Sequence, residues 1–158
     1  MTCKDIDALD RAILRALLRN GRLSHVEMAE EVPLSPTAIA RRMRALEDAG
    51  VIDGYAVRIG HQALGFEIRA FVHVRLQNQS EALLSAFEAA VVQSAAIVSC
   101  DLMSGEDDYL LTVLARDLAD YELLHKTMLS RLPGVARLQS SFAMRNVITR
   151  SPELLLQS

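Results

Sequence analysis

Three polar or cationic side chains are predicted to share one face of a short helix, with a spacing that suits a polyanion. Thr37, Arg41 and Arg44 follow one another at i, i+4 and i+7. From Ser35 to Leu46 the chain has three arginines and no acidic residue, in a chain whose net charge is −3. Because arginine donates hydrogen bonds to phosphates and to guanine edges, this face predicts contact with DNA.

The elements around this face are predicted to form a helix-turn-helix. Ser24 and Glu27 have the spacing of a capping box, which begins a first short helix. After a turn at Pro33-Leu34, the pair Ser35-Pro36 combines an N-cap residue with proline at the first helical position. Gly50 closes this second helix, since glycine readily adopts the left-handed conformation found beyond a helix C-terminus.

The opposite side of the second helix is apolar, with Ile39, Met43 and Leu46 at i, i+4 and i+7. A solvated arginine face on an ordinary helix is the simpler interpretation of an isolated cluster. Here two capping signals, a tight turn and an opposed apolar stripe coincide. That combination favours a recognition helix in the major groove of double-stranded DNA.

Each candidate DNA contact has a predicted role. Arg41 and Arg44 are expected to reach guanine edges or phosphates, and Thr37 lies near enough to the helix N-terminus to reach either. Ser35 is expected to give its backbone N–H to a phosphate. Arg42 lies at the side of the helix, where its partner is either a phosphate or an acidic side chain of the same domain.

Composition narrows the classes of function. The 158 residues are 51% hydrophobic and 23% charged, which suits one medium or two small packed domains and excludes wholesale disorder. Aromatic residues make up 4% with no tryptophan, so binding of single strands by base stacking is not expected. The pI of about 5.8 argues against coating of nucleic acid through global charge, but it allows a local basic face.

Catalytic and metal-binding arrangements are not predicted. Cys3 and Cys100 are too few and too far apart for a zinc site or a disulfide framework. The four histidines fall on different predicted elements with no i, i+3 or i+4 pair, so neither a metal nor a cofactor is expected. Neither a secretory signal nor an apolar run of about 20 residues is found, so we expect a cytoplasmic protein without membrane contact.

Strand and helix periods predict an α+β chain with two domains. A first helix is predicted from Asp5 to Asn20, and a short strand or hairpin over Val51 to Ile59 serves as the hinge. The following pattern is strand, helix, strand, strand, helix, strand, with predicted ranges 67–77, 80–94, 97–103, 109–115, 117–132 and 135–148. This order is the ferredoxin-like βαββαβ motif, whose helices lie on one face of a four-stranded antiparallel sheet.

The predicted domains are a helix-turn-helix (winged-helix-like) domain at 1–60, a ferredoxin-like domain at 61–150 and a tail at 151–158. The free face of the sheet must also be covered. The side chains predicted on it are Phe71, Leu110 or Leu111, Thr112 and Phe142. A partner subunit packed sheet to sheet is the natural cover, so we expect an obligate homodimer. Cys100 is interpreted as a packing residue, with a place on the dimer face as the alternative.

Several motifs resemble the leucine-responsive/asparagine regulator (Lrp/AsnC) family across nearly the whole chain in one register. They are Leu34-Ser35-Pro36-Thr37, Arg42 to Glu47, Gly50 to Tyr55, Met103 to Leu111 and Leu132 to Val135. The resemblance implies a DNA-binding helix-turn-helix joined to an amino-acid-binding regulatory domain. It also implies dimers that often assemble into octamers, which wrap or bridge DNA.

The resemblance further implies an effector site between subunits, near the turn that carries Gly and Asp. The corresponding residues are Leu102, Met103, Gly105, Asp108, Ser141, Phe142 and Ala143. An α-amino acid needs an acceptor for its ammonium group and N–H donors for its carboxylate, and the expected groups are Asp108 and the backbone around Gly105. The simpler alternative is a polar hairpin, and Glu106 and Asp107 are expected to be solvated.

Two positions depart from the family pattern. The family commonly has glycine at Pro33, and proline cannot supply a positive φ, so a different turn geometry is expected. The family's turn often has an aromatic residue at Asp107, so the identity of the effector does not transfer.

An enzyme on the same scaffold, similar to the sirohaem decarboxylases, is the alternative function. It would need basic and histidine residues lining a tetrapyrrole cavity, for which only His73 with Arg75 would fit. An assembly protein without DNA binding is a third hypothesis. The arginine face of the second helix disfavours both.

Overall fold

The computed structural model of the chain describes residues 6–148, which form two compact units. One unit extends to Arg58 and includes Val147 and Ile148, and the other is Ile59–Asn146. Asp5 and the predicted tail at 151–158 lie outside the described residues. Within the described part, the helices are too short or too polar to cross a membrane.

The first unit contains the three predicted helices, α1 (Ala8–Arg19), α2 (His25–Glu31) and α3 (Pro36–Asp48). The predicted start of α1 at Asp5 is wrong, because Asp7 is the residue that caps the free N–H groups of the first turn. The capping box of Ser24 and Glu27 is confirmed at α2, and Ser35 caps α3 by accepting a hydrogen bond from the Ala38 N–H. The core is formed by five apolar side chains of the three helices and by Val32, which follows α2. The five are Ile13, Ala16, Met28, Ile39 and Leu46.

The predicted strand or hairpin over Val51 to Ile59 is wrong for this chain. The structure shows no strand among residues 6–58, and Tyr55, Val57 and Ile59 are exposed by 57%, 87% and 64%. An alternating pattern becomes a strand only where a neighbouring strand accepts and donates its backbone hydrogen bonds. Within the described part of the chain, no strand is hydrogen-bonded to this segment.

The second unit has the predicted βαββαβ order. Its elements are β1 (Ile68–Leu76), α4 (Glu81–Val92), β2 (Ile97–Leu102), β3 (Tyr109–Ala115), α5 (Leu118–Thr127) and β4 (Val135–Phe142), with 3-10 turns at His61–Leu64 and Leu129–Arg131. The strands form one antiparallel sheet in the order β2-β3-β1-β4, which is the ferredoxin-like arrangement. The predicted extension of β4 to residue 148 is wrong. The Ala143 N–H still donates to the Arg69 carbonyl, and β1 begins only one residue before Arg69, so little of it remains to pair.

Both helices cover one face of the sheet. Alternate residues of β1 and β3 are buried on this side, including Val72 and Leu111 at 0% exposure. Phe87 of α4 packs its ring 4.6 Å from that of Tyr109, and Tyr121 of α5 is buried against the same core. Cys100 packs against this core too, so the packing interpretation is confirmed, and burial raises the pKa of its thiol.

The other face, which we call the open face, carries Phe71, Leu110 and Thr112 as predicted, and all three are half-buried. Leu111 and Phe142 instead belong to the helix side. Phe142 pairs with Ala70, and its ring meets Tyr121 edge-on at 4.9 Å.

A register shift explains why Phe142 lies on the helix side and not on the open face that the sequence predicts. Arg75 pairs with Arg137 and Leu76 with Val135, so Ala136 is an extra residue in β4. One extra residue moves every later side chain of a strand to the opposite face. Alternation counted from Val135 therefore predicts the wrong face for the end of β4.

Gly134 is the position in this unit that tolerates a side chain least. Its φ is +71°, and an added Cβ would lie 2.4 Å from Cδ1 of Leu83. We expect Gly134→Ala to lower the free energy of unfolding by about 1–3 kcal/mol, through strain and overpacking. Urea denaturation would measure this loss. Gly60→Ala is the matched control, since no neighbouring atom lies within 4 Å of the added Cβ, and equal stability of the two variants would contradict the prediction.

Candidate functional site

The two faces of α3 differ as the sequence predicted. Thr37, Arg41 and Arg44 are exposed, whereas Ile39 and Leu46 are buried in the core of the first unit. The apolar contacts therefore fix the helix from behind and leave a cationic surface facing outward. A polyanion is the natural partner of such a surface.

Arg42 occupies a different side of the helix and has acidic partners. Its guanidinium Nη1 donates to Asp7 Oδ2 and to Asp10 Oδ1, each at 2.8 Å, and its side chain is 27% exposed. The Asp10 backbone N–H and the Arg42 guanidinium hold the pKa of Asp7 below its ordinary value. Of the two partners foreseen for Arg42, the structure thus shows the acidic one.

The turn before α3 closes without a positive φ. The Leu34 N–H donates to the Val32 carbonyl at 2.7 Å, which makes a three-residue turn centred on Pro33. Among residues 6–148 only glycines have positive φ. The turn therefore accommodates proline without the positive φ that a glycine could supply, and both flanking helices keep their caps.

Asp108, the expected acceptor for an effector's ammonium group, is 7% exposed and already bonded within its own unit. Its Oδ2 accepts from the Leu76 N–H at 2.7 Å, and its Oδ1 accepts from Gln79 Nε2 at 2.6 Å. Its backbone also bonds to Val74 and Met103. Protein donors thus occupy the carboxylate that the effector was expected to use, and Asp108 ties the β2–β3 turn to the end of β1.

Glu106 and Asp107 were both expected to be solvated, but the side chain of Asp107 has a protein partner. Asp107 Oδ2 lies 3.0 Å from His73 Nδ1, and the Glu106 carbonyl accepts two hydrogen bonds from Arg75 at 3.0 and 2.7 Å. These contacts tie the turn to β1. They also engage His73 and Arg75, the two residues that the enzyme alternative required.

The predicted effector residues form two separate groups in one chain. Leu102 is level with Tyr109 and Val74 in the sheet, whereas Phe142 pairs with Ala70. Ala70 and Val74 are four residues apart along β1, which corresponds to about 13 Å. Met103 and Gly105 lie beyond Leu102, so the turn and the segment 141–143 are at opposite ends of the sheet. One chain does not bring the two groups together.

The remaining functional groups were harder to foresee. Asp7 and Asp10 suit the start of a helix through its dipole, but their positions do not indicate an arginine partner 32 to 35 residues away. Gln79 carried no signal at all. In the described residues, no group of three or more His, Cys, Asp or Glu side chains is arranged to hold a metal ion.

Known families match both units. The family model described as Lrp/AsnC ligand binding domain matches residues 69–153, and a winged helix-turn-helix DNA-binding model matches residues 6–53. A Bkd operon transcriptional regulator from Pseudomonas aeruginosa is 40% identical over 147 residues, which cover 93% of this chain and 96% of that protein. The chain belongs to the Lrp/AsnC family.

Other relatives of this Lrp/AsnC protein agree with the assignment. A proline dehydrogenase transcriptional activator from Rhodobacter capsulatus is 39% identical over 150 residues, covering 94% of this chain and 97% of that one. A transcriptional regulator from Neisseria meningitidis, solved as an L-Met complex, superimposes with a TM-score of 0.86 at 32% identity, covering 92% and 94%. The chain is therefore a DNA-binding transcriptional regulator with a small-molecule-binding domain, and these relatives give the enzyme alternative no support.

Proposed function

We propose that this Lrp/AsnC regulator reads double-stranded DNA through the outer face of α3, and that an amino acid bound between subunits modulates this binding. The observation that carries the proposal is the exposure of Thr37, Arg41 and Arg44 opposite the buried Ile39 and Leu46. The deciding experiment is DNA binding by the variant Arg41→Ala/Arg44→Ala, which should lose sequence-specific binding.

The kind of DNA contact that we propose differs with the position of the residue on α3. Arg41 and Arg44 are one helical turn apart and reach bases or phosphates, with Thr37 at the N-terminal end of the same face. Ser35 Oγ is engaged in capping, so a phosphate contact from this residue comes through backbone N–H. Arg42 differs from these residues, because its guanidinium is held by Asp7 and Asp10.

The proposed effector is a free amino acid, since the L-Met complex belongs to a relative that matches this chain over nearly its full length. The turn residues Leu102, Met103 and Gly105 of one subunit join the 141–143 segment of another, because one chain keeps the two groups apart. Asp108 supports the turn from inside. The N–H groups around Gly105 are the proposed donors to the effector's carboxylate.

A thermal-shift screen against the twenty amino acids tests the effector proposal. Binding to the folded state stabilises it by about 2.7 kcal/mol when the ligand is at 100 times its Kd, so at least one amino acid should raise Tm by several degrees. Met103→Ala should reduce that shift, because Met103 is partly exposed at the proposed site. Leu123→Ala on α5 is the matched control. A complete absence of shifts with wild-type protein would contradict the proposal.

The proposed assembly is a homodimer formed through the open face, with further association to an octamer suggested by the family resemblance. Phe71, Leu110 and Thr112 form a half-buried strip in the middle of this face, and Leu114 continues it. Two polar side-chain pairs, His73–Asp107 and Arg75–Glu106, border the strip at the turn. An apolar centre with a polar rim is the usual composition of a subunit interface.

The variant Leu110→Glu/Thr112→Glu should be monomeric at concentrations where the wild type is dimeric. Two carboxylates in a desolvated sheet interface cost several kcal/mol when they have no partners. Size-exclusion chromatography with light scattering would measure the mass. Leu118→Glu/Leu123→Glu adds the same charge at exposed positions of α5 and serves as the control. If the open-face variant were still dimeric, another surface would form the dimer.

A further inference from the structure

The capping box of α1 also forms a receptor for the Arg42 side chain of α3. Asp7 Oδ1 accepts from the Asp10 N–H at 2.8 Å, and Asp10 Oδ2 accepts from the Asp7 N–H at 3.3 Å. The second oxygen of each carboxylate accepts from Arg42 Nη1 at 2.8 Å. Each acid therefore divides its two oxygens between the start of α1 and the side of α3.

This arrangement, which we call the Arg42 clamp, joins residues that are 32 and 35 positions apart in the chain. Two carboxylates face one guanidinium, so the local charge of the three groups is negative. Both carboxylates also lie at the N-terminus of α1, where the helix dipole favours anions. The clamp thus holds Arg42 in an anionic setting that is unlike a phosphate-binding surface.

The position of Arg42 on α3 separates it from the DNA face. Successive residues of a helix differ by 100°, so Arg42 is rotated by that angle from Arg41 and by 200° from Arg44. Its side chain is 27% exposed, whereas Arg41 and Arg44 are exposed residues. The clamp acts on the orientation of the helix that carries these two arginines.

We propose that Arg42 is a positioning residue: it fixes the angle of α3 on α1 through Asp7 and Asp10, and it makes no contact with DNA. Hydrogen bonds to base edges depend on helix orientation more strictly than contacts to phosphates do. Loss of the clamp therefore weakens specific binding more than non-specific binding. The inference rests on α3 as the DNA-reading helix.

Arg42→Gln and Asp7→Asn test the clamp on a DNA fragment that the wild-type protein has selected from a random pool. Asparagine remains a good N-cap, but its single oxygen is needed by the helix, so the bond from Arg42 to residue 7 is lost while the bond to Asp10 remains. Arg42→Gln should weaken specific binding roughly tenfold and Asp7→Asn by less, and the double variant should be no weaker than Arg42→Gln, because directly coupled residues are not additive. Non-specific binding should change little.

Salt dependence and charge separate this role from a phosphate contact. A lost phosphate contact makes the slope of log K against log salt shallower by about 0.9, whereas loss of the clamp should leave it unchanged. Asp7→Asn removes a negative charge, which by electrostatics alone would strengthen DNA binding. A slope reduced in Arg42→Gln, or wild-type or tighter specific binding by Asp7→Asn, would overturn the proposal.

Arg19→Gln is the matched control, since it removes the same charge and breaks the exposed Arg19–Glu31 ion pair between α1 and α2. Its specific affinity should stay within about twofold of wild type. An equal loss in this variant would show a general charge effect and reject the clamp.

Circular dichroism melts verify that each variant is folded. Arg42→Lys, which keeps the cation, should retain more specific binding than Arg42→Gln. If Arg41→Ala/Arg44→Ala left binding unchanged, the proposed DNA face would fail, whereas wild-type binding by Arg42→Gln alone would reject only the clamp.

Discussion

The double variant Arg41→Ala/Arg44→Ala should lose sequence-specific DNA binding while its mass in solution stays that of the wild type. A well-formed arginine contact to a base contributes about 1–3 kcal/mol of discrimination, so two together correspond to a loss of roughly 30-fold or more. Both side chains are exposed on α3 and lie away from the core of the first unit. Fluorescence anisotropy on the selected DNA fragment would measure affinity, and light scattering would measure mass.

Arg116→Ala is the control for this experiment, because Arg116 is an exposed arginine of the second unit. It should bind the selected fragment as the wild type does. The single variants Arg41→Ala and Arg44→Ala would separate base from phosphate contacts, since only a lost phosphate contact makes the salt slope shallower. An unchanged affinity in the double variant would exclude the outer face of α3 as the DNA-reading surface.

The variant Asp108→Ala should lower the free energy of unfolding of the second unit by about 2–4 kcal/mol, since each hydrogen bond to a buried charged group contributes about 1.5–3 kcal/mol. The change removes the acceptor of the Leu76 N–H and of the Gln79 amide. Because Leu76 is buried, its N–H is then left without a hydrogen-bond partner. Urea denaturation followed by circular dichroism would measure the loss.

Two neighbours supply the controls for Asp108. Glu106→Ala removes an acid of the same turn whose side chain is 78% exposed, and its effect should be within about 0.5 kcal/mol of zero. Gln79→Ala removes one donor to Asp108 and should cost less than Asp108→Ala. If Asp108→Ala unfolded like the wild type but lost its effector-induced thermal shift, the residue would be an effector ligand instead of a support for the turn.

Much of the secondary structure could be predicted because its causes lie within a few residues of one another. The capping box at Ser24 and Glu27 needs only the spacing of a polar pair, and Ser35-Pro36 needs only neighbours along the chain. The bounds of β3, Tyr109–Ala115, agree with the prediction because its two faces alternate without interruption. The outward arginines of α3 follow from helical spacing alone.

Two errors show where local patterns stop being sufficient. The segment from Val51 to Ile59 has the alternating pattern of a strand, but no strand of the described chain pairs with it. Phe142 lies on the helix side because the extra residue Ala136 reverses the faces of β4. Both outcomes depend on pairing between segments, and neither segment contains the signal by itself.

The sequence by itself determined the family, the βαββαβ order and the two faces of α3, since these depend on motifs, periodicity and short-range capping. The tertiary structure decided what the charged residues do. The sequence allowed a phosphate or an acidic partner for Arg42, and an effector contact or a plain polar hairpin for Asp108. In the structure, Arg42 is held by Asp7 and Asp10, and Asp108 is held by Leu76 and Gln79. A charged side chain forms hydrogen bonds with groups about 3 Å away, and for these two residues such groups come from distant parts of the chain.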